Sequence, residues 1–450
     1  MSEKNSKSIE SKENEAVGNK KRLGKKGIII IIVASVLAVA ITAGIIVAVV
    51  LKNRKDKDDA SGDGIVLDIL NDDLSEYVEI DEKYYKGYTV EVDYTRIPVL
   101  VENEIIKKLC LHKDEEAITD GDGIISVGDV VYIFYKGYYL NGEEKVYFDG
   151  GSNIGGSAYE LEIGSGGFIP GFEYNMIGKN PADYNEDNPM IIETYFPEKY
   201  PQSSELAGKT AWFEVTVEIE NGKYNIEEYN APALTDSFIT ETLMISSSVL
   251  EEYEGETLVD KYRAKLRKEC LESIDVDALK ENAFWISVMN GGVVKKYPEA
   301  ELEAAYEAQI EEIENYYENS YYSFYYTLEE FGCLYLGVDY DKDWKTEARN
   351  YVKENMKKQL LFYHIMNVEG LKPTEEEYNQ LFDEYLSEAL EQEHIIPERY
   401  STTEEYEAAK EEYKSKIIEK NGEDYFKVMI YYQLGIEAVL EYANVVEITE

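Results

Sequence analysis

The run from Gly27 to Leu51 contains no charged side chain, and it constrains the fold of this chain more than any other feature. As an α-helix the run would extend roughly 37 Å at about 1.5 Å per residue. That length exceeds the roughly 30 Å hydrocarbon core of a bilayer and the usual apolar part of a signal peptide, which has about 7–15 residues. The sequence therefore predicts a single uncleaved transmembrane helix over residues 27–51. A cleaved signal peptide is the alternative.

Basic residues crowd the N-terminal side of this run. Lys20, Arg22 and Lys26 are among the cations of the tail 1–26, whereas the other side of the run mixes both charges. Because positive charge is retained in the cytoplasm, we expect a cytoplasmic basic tail and an extracytoplasmic body. The predicted location is the cell membrane, with a single pass. Residues 52–75 are polar and predict a flexible linker.

The charge balance excludes one class of partner. The chain has 91 acidic and 45 basic residues, for a formal net charge of -46. A nucleic-acid-binding protein needs basic surface to displace counterions, so no nucleic acid is expected. The chain has three cysteines, none in a C-x-x-C pair, which indicates neither a disulfide framework nor a zinc site. We expect no cofactor and no metal.

The segments that follow differ in their hydrophobic period. Residues 76–124 predict a strand around Tyr88–Tyr94, which alternates apolar and polar side chains, and then a helix near Glu102–Leu111. Residues 125–222 are rich in β-branched residues and turn signals, and Asn141-Gly142 is typical of a hairpin turn. This segment predicts an antiparallel α+β domain.

The segment 232–450 has a helical pattern throughout. Leu302, Tyr306 and Ile310 recur at a spacing of four, which is typical of one helix face. Thr374 and Thr402 are each followed three residues later by Glu, which predicts capping boxes at two helix starts. We expect about seven helices in an all-α domain.

Five ordered motifs between residues 128 and 238 resemble those of FKBP-type peptidyl-prolyl isomerases. The strongest is Ile169-Pro170-Gly171-Phe172-Glu173, which in that family leads into a short central helix. The motifs are Gly128–Gly137, Tyr147–Gly151, Glu162–Glu173, Tyr195–Lys209 and Pro232–Phe238. The resemblance implies an FKBP-like sheet around a short helix over residues 125–222, with isomerase activity.

The form that these motifs take in this chain is similar to their form in trigger factor. A weaker resemblance to trigger factor extends over residues 77–450. It implies that residues 232–450 form a chaperone domain for unfolded or nascent clients that contain X-Pro segments. A membrane helix stands where the ribosome-binding domain of that family would be, so ribosome docking is not expected. The predicted function is a membrane-anchored isomerase and chaperone that assists translocated proteins.

The resemblance also implies the residues of the site. Phe172 would form the floor of an aromatic cleft, Phe168 and Ile169 would hold the peptide, and Asp149 and Tyr200 would face the rotating carbonyl. The implied catalytic set is Tyr135, Phe148, Asp149, Phe168, Ile169, Phe172, Tyr200 and Phe213, with Tyr159 as a substrate-binding residue. Rotation about the peptide bond requires no nucleophile, and none is recognisable in the sequence.

Two alternatives remain open at this stage. Aromatic residues on strands usually belong to a core, and a domain that keeps the fold without the activity would be a scaffold for a holdase chaperone. Tyr317, Tyr321 and Tyr325 lie in an aromatic run that is suited to holding clients, because tyrosine combines apolar area with a polar tip. Packing between helices is the other interpretation of that run.

Overall fold

The structure is a computed structural model that describes residues 67–119, 121–200 and 206–449. Side chains of residues 149–151, 420–421 and 423–424 are not described. The strands are β1 (Val78–Glu79), β2 (Thr89–Asp93), β3 (Val130–Asn141), β4 (Glu144–Ser152), β5 (Tyr159–Glu162), β6 (Met190–Tyr195), β7 (Thr210–Val217), β8 (Ile219–Glu220), β9 (Lys223–Tyr224), β10 (Ile226–Glu227), β11 (Val293–Val294) and β12 (Asn444–Ile448). The helices are α1 (Ile97–Cys110), α2 (Ser247–Leu250), α3 (Leu258–Ser273), α4 (Val276–Gly291), α5 (Glu299–Asn319), α6 (Leu328–Leu336), α7 (Trp344–Glu369), α8 (Glu375–Gln392), α9 (Thr403–Asn421) and α10 (Glu423–Leu440).

No helix among these described residues is both long and apolar enough to cross a membrane. The longer ones are interrupted by charge, as α7 is by its lysine and glutamate residues. The run 27–51 lies outside the described residues. The predicted fold class, α+β with a single N-terminal transmembrane helix, is therefore corrected for the described residues, among which no membrane-spanning helix is found. The described chain is mixed α/β, with an antiparallel sheet and a helical C-terminal region.

The chain divides into two compact units, and each is discontinuous in sequence. The sheet unit consists of Gly87–Ile286 with Ala443–Glu450. The helical unit consists of Ser287–Tyr442 and the N-terminal segment that ends at Lys86, of which residues 67–86 are described. The predicted domains, by contrast, were continuous segments.

An antiparallel sheet with β3 at its centre forms the core of the sheet unit. Strand β3 pairs with β5 and β4 along one edge and with β10 and β7 along the other, and β6 pairs with β7. Alternate residues of β7 are buried, as the two-residue period of a strand requires. Phe213 and Val215 on this buried face pack with Phe172 and Met176. The expected central helix is reduced to a short 3-10 turn, Tyr174–Met176.

Helix α1 packs in a second hydrophobic core of the same unit. It begins five residues earlier than the sequence pattern suggested, because Pro98 occupies its first turn, where the missing N–H costs nothing. Ile97, Val101 and Ile105 recur every four residues and pack against Tyr262 and Leu266 of α3, among others. Helix α3 starts with a capping box between Thr257 and Asp260.

The C-terminal strand β12 closes the sheet unit. It pairs in parallel with β2, with Asn444 opposite Thr89 and Ile448 opposite Asp93. All five residues of β12 are exposed. In β2, by contrast, Val90 and Val92 are buried. The predicted strand near Tyr88–Tyr94 is thus confirmed, and its partner lies at the other end of the described chain.

Long α-helices dominate the helical unit. Helix α7 buries residues all round near its C-terminal end, including Leu361, Phe362 and Ile365. The capping box predicted at Thr374 is present at the start of α8. Thr402 caps α9 as expected, although the Glu405 carboxylate accepts from the Ser401 amide rather than closing the box. Strands β1 and β11 form a small antiparallel pair.

Candidate functional site

Aromatic rings from four strands and one loop meet on the buried side of the sheet. Tyr135 lies at the centre, with ring centroids 5.1 Å from Phe168, 5.9 Å from Phe213 and 6.3 Å from Phe172. Tyr159 of β5 closes one side at 5.2 Å from Phe168. Most of these pairs are edge-to-face, the arrangement that the quadrupoles of aromatic rings favour. We call this set, with the residues in the next paragraph, the aromatic cleft.

The cluster continues toward the loop that follows β6. Phe148 of β4 lies 5.7 Å from Phe213 and 5.5 Å from Phe196, and Phe196 lies 4.7 Å from Tyr200. Ile169 packs into the same group as Phe196 and Tyr200. The structure therefore brings together Tyr135, Phe148, Tyr159, Phe168, Ile169, Phe172, Tyr200 and Phe213. Asp149 lies in β4, but its side chain is not described and its role stays a prediction.

Phe172 occupies the position expected for a floor, and it is fully buried. The ring of Phe168 stacks on it with centroids 4.0 Å apart and 27° between the planes. Phe168 therefore covers the floor rather than standing beside it. A proline ring that is to touch Phe172 would first have to displace Phe168.

The loop that carries Phe168 is held by a buried carboxylate. Glu173 is only 4% exposed, and its two oxygens accept from the backbone N–H groups of Gly164 at 2.7 Å, Gly166 at 3.1 Å and Phe168 at 3.1 Å. Gly164 and Gly166 have φ angles of 99° and 76°, a left-handed conformation that favours glycine. The glycine-rich sequence thus lets the amides of alternate residues converge on one carboxylate.

Sequence reasoning missed three contributors to this site. Glu173 belongs to one of the family motifs and Phe196 to another, but the sequence predicted no role for either residue. Gly137 of β3 ends the motif Gly128–Gly137, but the sequence did not show why glycine is needed there: a Cβ would overlap the rings of Phe148 and Phe213. Only the pairing of β3 with β7, which sets Gly137 opposite Phe213, makes the need for glycine visible.

The chemistry of the cleft is that of a dry aromatic surface. Burial raises the pKa of the Tyr135 hydroxyl, the largest cause being loss of solvent. The hydroxyl therefore stays protonated at neutral pH and can donate a hydrogen bond. The rings and Ile169 offer an apolar surface on which a proline ring could lie.

The aromatic run of the helical unit separates into packed and exposed rings. Tyr317 lies against Phe331 at 5.6 Å, and its hydroxyl donates to the Tyr326 carbonyl at 3.0 Å. Tyr321 and Tyr325 are 63% and 76% exposed. Phe324, which was not among the predicted client contacts, is 85% exposed. Helix α5 ends at Asn319, so Tyr317 lies in this helix whereas Tyr321 and Tyr325 lie beyond it.

Comparison with known proteins agrees with this geometry. Residues 121–218 match the family model for FKBP-type peptidyl-prolyl cis-trans isomerase. This class of domain covers the sheet and the aromatic cleft.

The chain is also similar to trigger factors. It is 31% identical over 299 residues to the trigger factor of Bacillus cytotoxicus, covering 66% of this chain and 61% of the relative. It is 30% identical over 297 residues to that of Bacillus mycoides, covering 65% and 61%. The matches support an FKBP-type, trigger-factor-like protein. The chain thus spans about 61% of the length of these relatives.

These findings also correct the predicted location. The prediction of a single-pass protein in the cell membrane with an extracytoplasmic body is wrong: the relatives are trigger factors, and no described helix could span a bilayer. Membrane association is likewise not supported as a partner interaction.

Proposed function

We propose that this chain is a peptidyl-prolyl isomerase and chaperone whose clients are unfolded or nascent proteins containing X-Pro segments. The continuous ring cluster from Tyr159 through Tyr135 and Phe213 to Phe148 carries this proposal. It offers an apolar surface large enough for a proline ring and its neighbour. The loop with Phe168 and Ile169 adjoins that surface and supplies backbone groups.

A cleft of this kind needs no covalent chemistry. Rotation about a peptide bond costs about 18–20 kcal/mol because the planar form is stabilised by resonance. Resonance places negative charge on the carbonyl oxygen, and water stabilises that charge. A site that excludes water and fits the twisted imide favours the transition state over the planar form. A thousandfold acceleration requires only about 4 kcal/mol of such preference.

The helical unit would hold the client. Tyr321, Phe324 and Tyr325 form an exposed aromatic patch beside Tyr316, which is half exposed. Exposed rings of this size on a soluble surface mark interaction sites more often than single exposed residues do. The acidic net charge would keep such a protein soluble while these rings are free.

The isomerase proposal is tested by the cis/trans isomerisation of a short X-Pro peptide with the purified full chain. Phe168→Ala and Asp149→Ala are compared with Tyr340→Ala, a control at an exposed tyrosine outside the cleft and the patch. We expect kcat/KM to fall about tenfold in the first two variants, equivalent to about 1.4 kcal/mol of binding in the transition state, and to stay unchanged in the control. Absence of acceleration by the folded wild type would overturn the proposal.

A holdase with an inactive isomerase fold is the second candidate. The stacking of Phe168 on Phe172 favours it, because the floor of the cleft is covered. A holdase would suppress client aggregation without changing isomerisation. In that case replacement of Tyr321, Phe324 and Tyr325 by serine should abolish suppression, whereas Tyr340→Ser should not. A rise in kcat/KM on Phe168→Ala would show that this ring only blocks the cleft.

A further inference from the structure

A cavity of about 400 Å³ lies in the sheet unit next to the aromatic cleft. Its walls are one face of α1, with Arg96 and Asn103, and one face of α3, with Leu266 and Cys270. Pro170 and Phe196 contribute the remaining wall. The volume is within the roughly 300–1,000 Å³ range of ligand sites in proteins.

One residue of the cavity lining has a buried polar atom that lacks a partner. Arg96 is only 3% exposed, and its guanidinium forms an ion pair with Glu198. Its Nε, however, is buried and has no hydrogen-bond partner among the described residues. Leaving a buried donor unpaired is unfavourable, so the site favours a ligand that brings an acceptor. Asn103, which is 8% exposed, adds an amide to the same wall.

The charges of the side chains that line the cavity favour a ligand with a neutral hydrogen-bond acceptor over an anionic ligand. Arg96 and Lys107 are cationic, whereas Glu104, Glu198 and Glu269 are anionic. Lys107 is paired with Glu104 at 2.8 Å. The cavity therefore has no excess of positive charge to stabilise a phosphate or carboxylate. A peptide carbonyl carries no net charge, so it could accept a hydrogen bond there without such an excess.

Apolar side chains also line the cavity. Leu100, Leu266, Pro170 and Phe196 all face it. A segment that places a backbone carbonyl at Arg96 could therefore lay an apolar side chain against these residues. Together, the neutral acceptor and the apolar contact describe an uncharged, extended stretch of polypeptide.

The cavity and the aromatic cleft share lining residues. Pro170 directly follows Ile169, which belongs to the cleft. Phe196 lines the cavity and also contacts the rings of Phe148 at 5.5 Å and Tyr200 at 4.7 Å. The cavity therefore adjoins the cleft.

We propose that this cavity is a second client subsite, which binds uncharged apolar residues flanking the X-Pro bond and donates hydrogen bonds from Arg96 Nε and the Asn103 amide to their carbonyl. The inference rests on the proposed function, because it presupposes that the X-Pro segment lies in the aromatic cleft. It adds a sequence preference that the cleft alone does not supply.

The test compares the affinity of the full chain for a short X-Pro peptide with its affinity for the same peptide extended on either side. In one extended peptide the added residues are a few apolar ones, and in the other extended peptide they are aspartates. Calorimetry gives the dissociation constants, and isomerisation is measured in parallel. We expect one apolar extension to tighten binding about tenfold, as one added hydrogen bond with its apolar contact can provide. The aspartate extension should bring no gain.

Two variants locate the effect. Asn103→Leu removes the amide, and Arg96→Lys keeps the charge opposite Glu198 but lacks the Nε donor. Each should remove most of the tenfold gain. Asn350→Leu makes the same chemical change at an exposed position of α7 and should retain it. Circular dichroism verifies that each variant is folded.

The outcomes separate the two proposals. An apolar extension that brings no gain, or a gain that survives both variants, overturns the second subsite even when the short peptide is isomerised. A gain that depends on Asn103 and Arg96 supports the subsite even when no isomerisation is observed. In that case the isomerase proposal alone fails.

Discussion

At the scale of single residues, Glu173 organises the cleft without contacting a substrate. Its buried carboxylate accepts hydrogen bonds from three backbone N–H groups of the loop that carries Phe168 and Ile169. Each of these bonds involves a charged acceptor, which makes it stronger than a bond between neutral groups. The position of Phe168 over Phe172 thus depends on a residue at the other end of the loop.

Replacing Glu173 by glutamine should loosen this loop. Glutamine retains one acceptor oxygen, but its amide group would face N–H donors that it cannot satisfy. We expect a loss of roughly 2 kcal/mol of stability and a lower kcat/KM, measured by thermal unfolding and peptide isomerisation. Glu241→Gln, at an exposed glutamate, is the control and should change neither. An unchanged unfolding midpoint would show that water takes over the role of Glu173.

Asp129 makes stability depend on pH. It is 1% exposed and accepts from the Ser126 amide at 2.7 Å and the Tyr229 amide at 2.9 Å. Burial raises the pKa of this carboxyl from 3.8 to about 6. The folded protein therefore holds a proton that the unfolded chain has lost, so this group's contribution to stability decreases as pH rises from about 4 through about 6.

Comparison with Asp129→Asn should isolate this contribution, because asparagine does not titrate. On lowering the pH from about 7 to about 5, we expect the wild type to gain stability relative to the variant. Unfolding midpoints of both proteins across this range give the difference, in which the titration of all other acidic residues cancels. A difference that stays constant with pH would mean that Asp129 has an ordinary pKa.

The residue types of the cleft could be predicted from the sequence, but their geometry could not. The resemblance to the family implied Tyr135, Phe172 and Phe213, and the structure packs these residues together. The stacking of Phe168 on Phe172 depends on how the loop folds back, and that is set by Glu173 and left-handed glycines. Local sequence contains these residues without showing that they converge.

At the scale of elements, strands and helices with clear periods were predicted well. The strand around Thr89–Asp93 and the helix caps at Thr374 and Thr402 are confirmed. The role of the aromatic run near residue 320 stays a prediction, and Ser320 ends one helix and caps a 3-10 turn within it. That break rotates Tyr321 and Tyr325 away from the face of Tyr317. A one-residue change in helix bounds is enough to exchange packed and exposed rings.

Strand β12 should contribute measurably to the sheet unit. Ending the chain after Tyr442 would remove this strand and leave the backbone groups of β2 without their partner. We expect a loss of roughly 2–4 kcal/mol, from several backbone hydrogen bonds of about 0.5–1.5 kcal/mol each. Thermal unfolding measures the loss. A chain that ends after Ile448 keeps β12 and is the matched control; equal midpoints for the two truncations would refute the contribution.

At the scale of the whole molecule, the net charge of -46 opposes compactness. Like charges repel across the surface, and salt screens that repulsion. Raising NaCl from about 20 mM to about 150 mM shortens the screening length to roughly 8 Å. We therefore expect the unfolding midpoint to rise. KCl at the same ionic strength should have the same effect; a fall with either salt would show that attractive ion pairs outweigh the repulsion.

The division into units could not be predicted from the sequence. Domain bounds were expected where composition changes, near residues 125 and 232. The boundaries between the compact units instead follow Lys86, Ile286 within α4, and Tyr442. No local signal marks these points, because what joins Gly87–Ile286 to Ala443–Glu450 is the pairing of β2 with β12. Pairing between distant strands leaves no trace in a short window of sequence.

That pairing also imposes an order of events during synthesis. Strand β2 is made early, and its partner Asn444–Ile448 is made only after the whole of the helical unit. At elongation rates of about 5–20 residues per second, the interval lasts tens of seconds. Throughout it the nascent chain displays an open strand edge, to which another extended segment could add. A pause in translation before residue 443 would lengthen this exposure, so codon usage over the last helices could affect the yield of correctly folded protein.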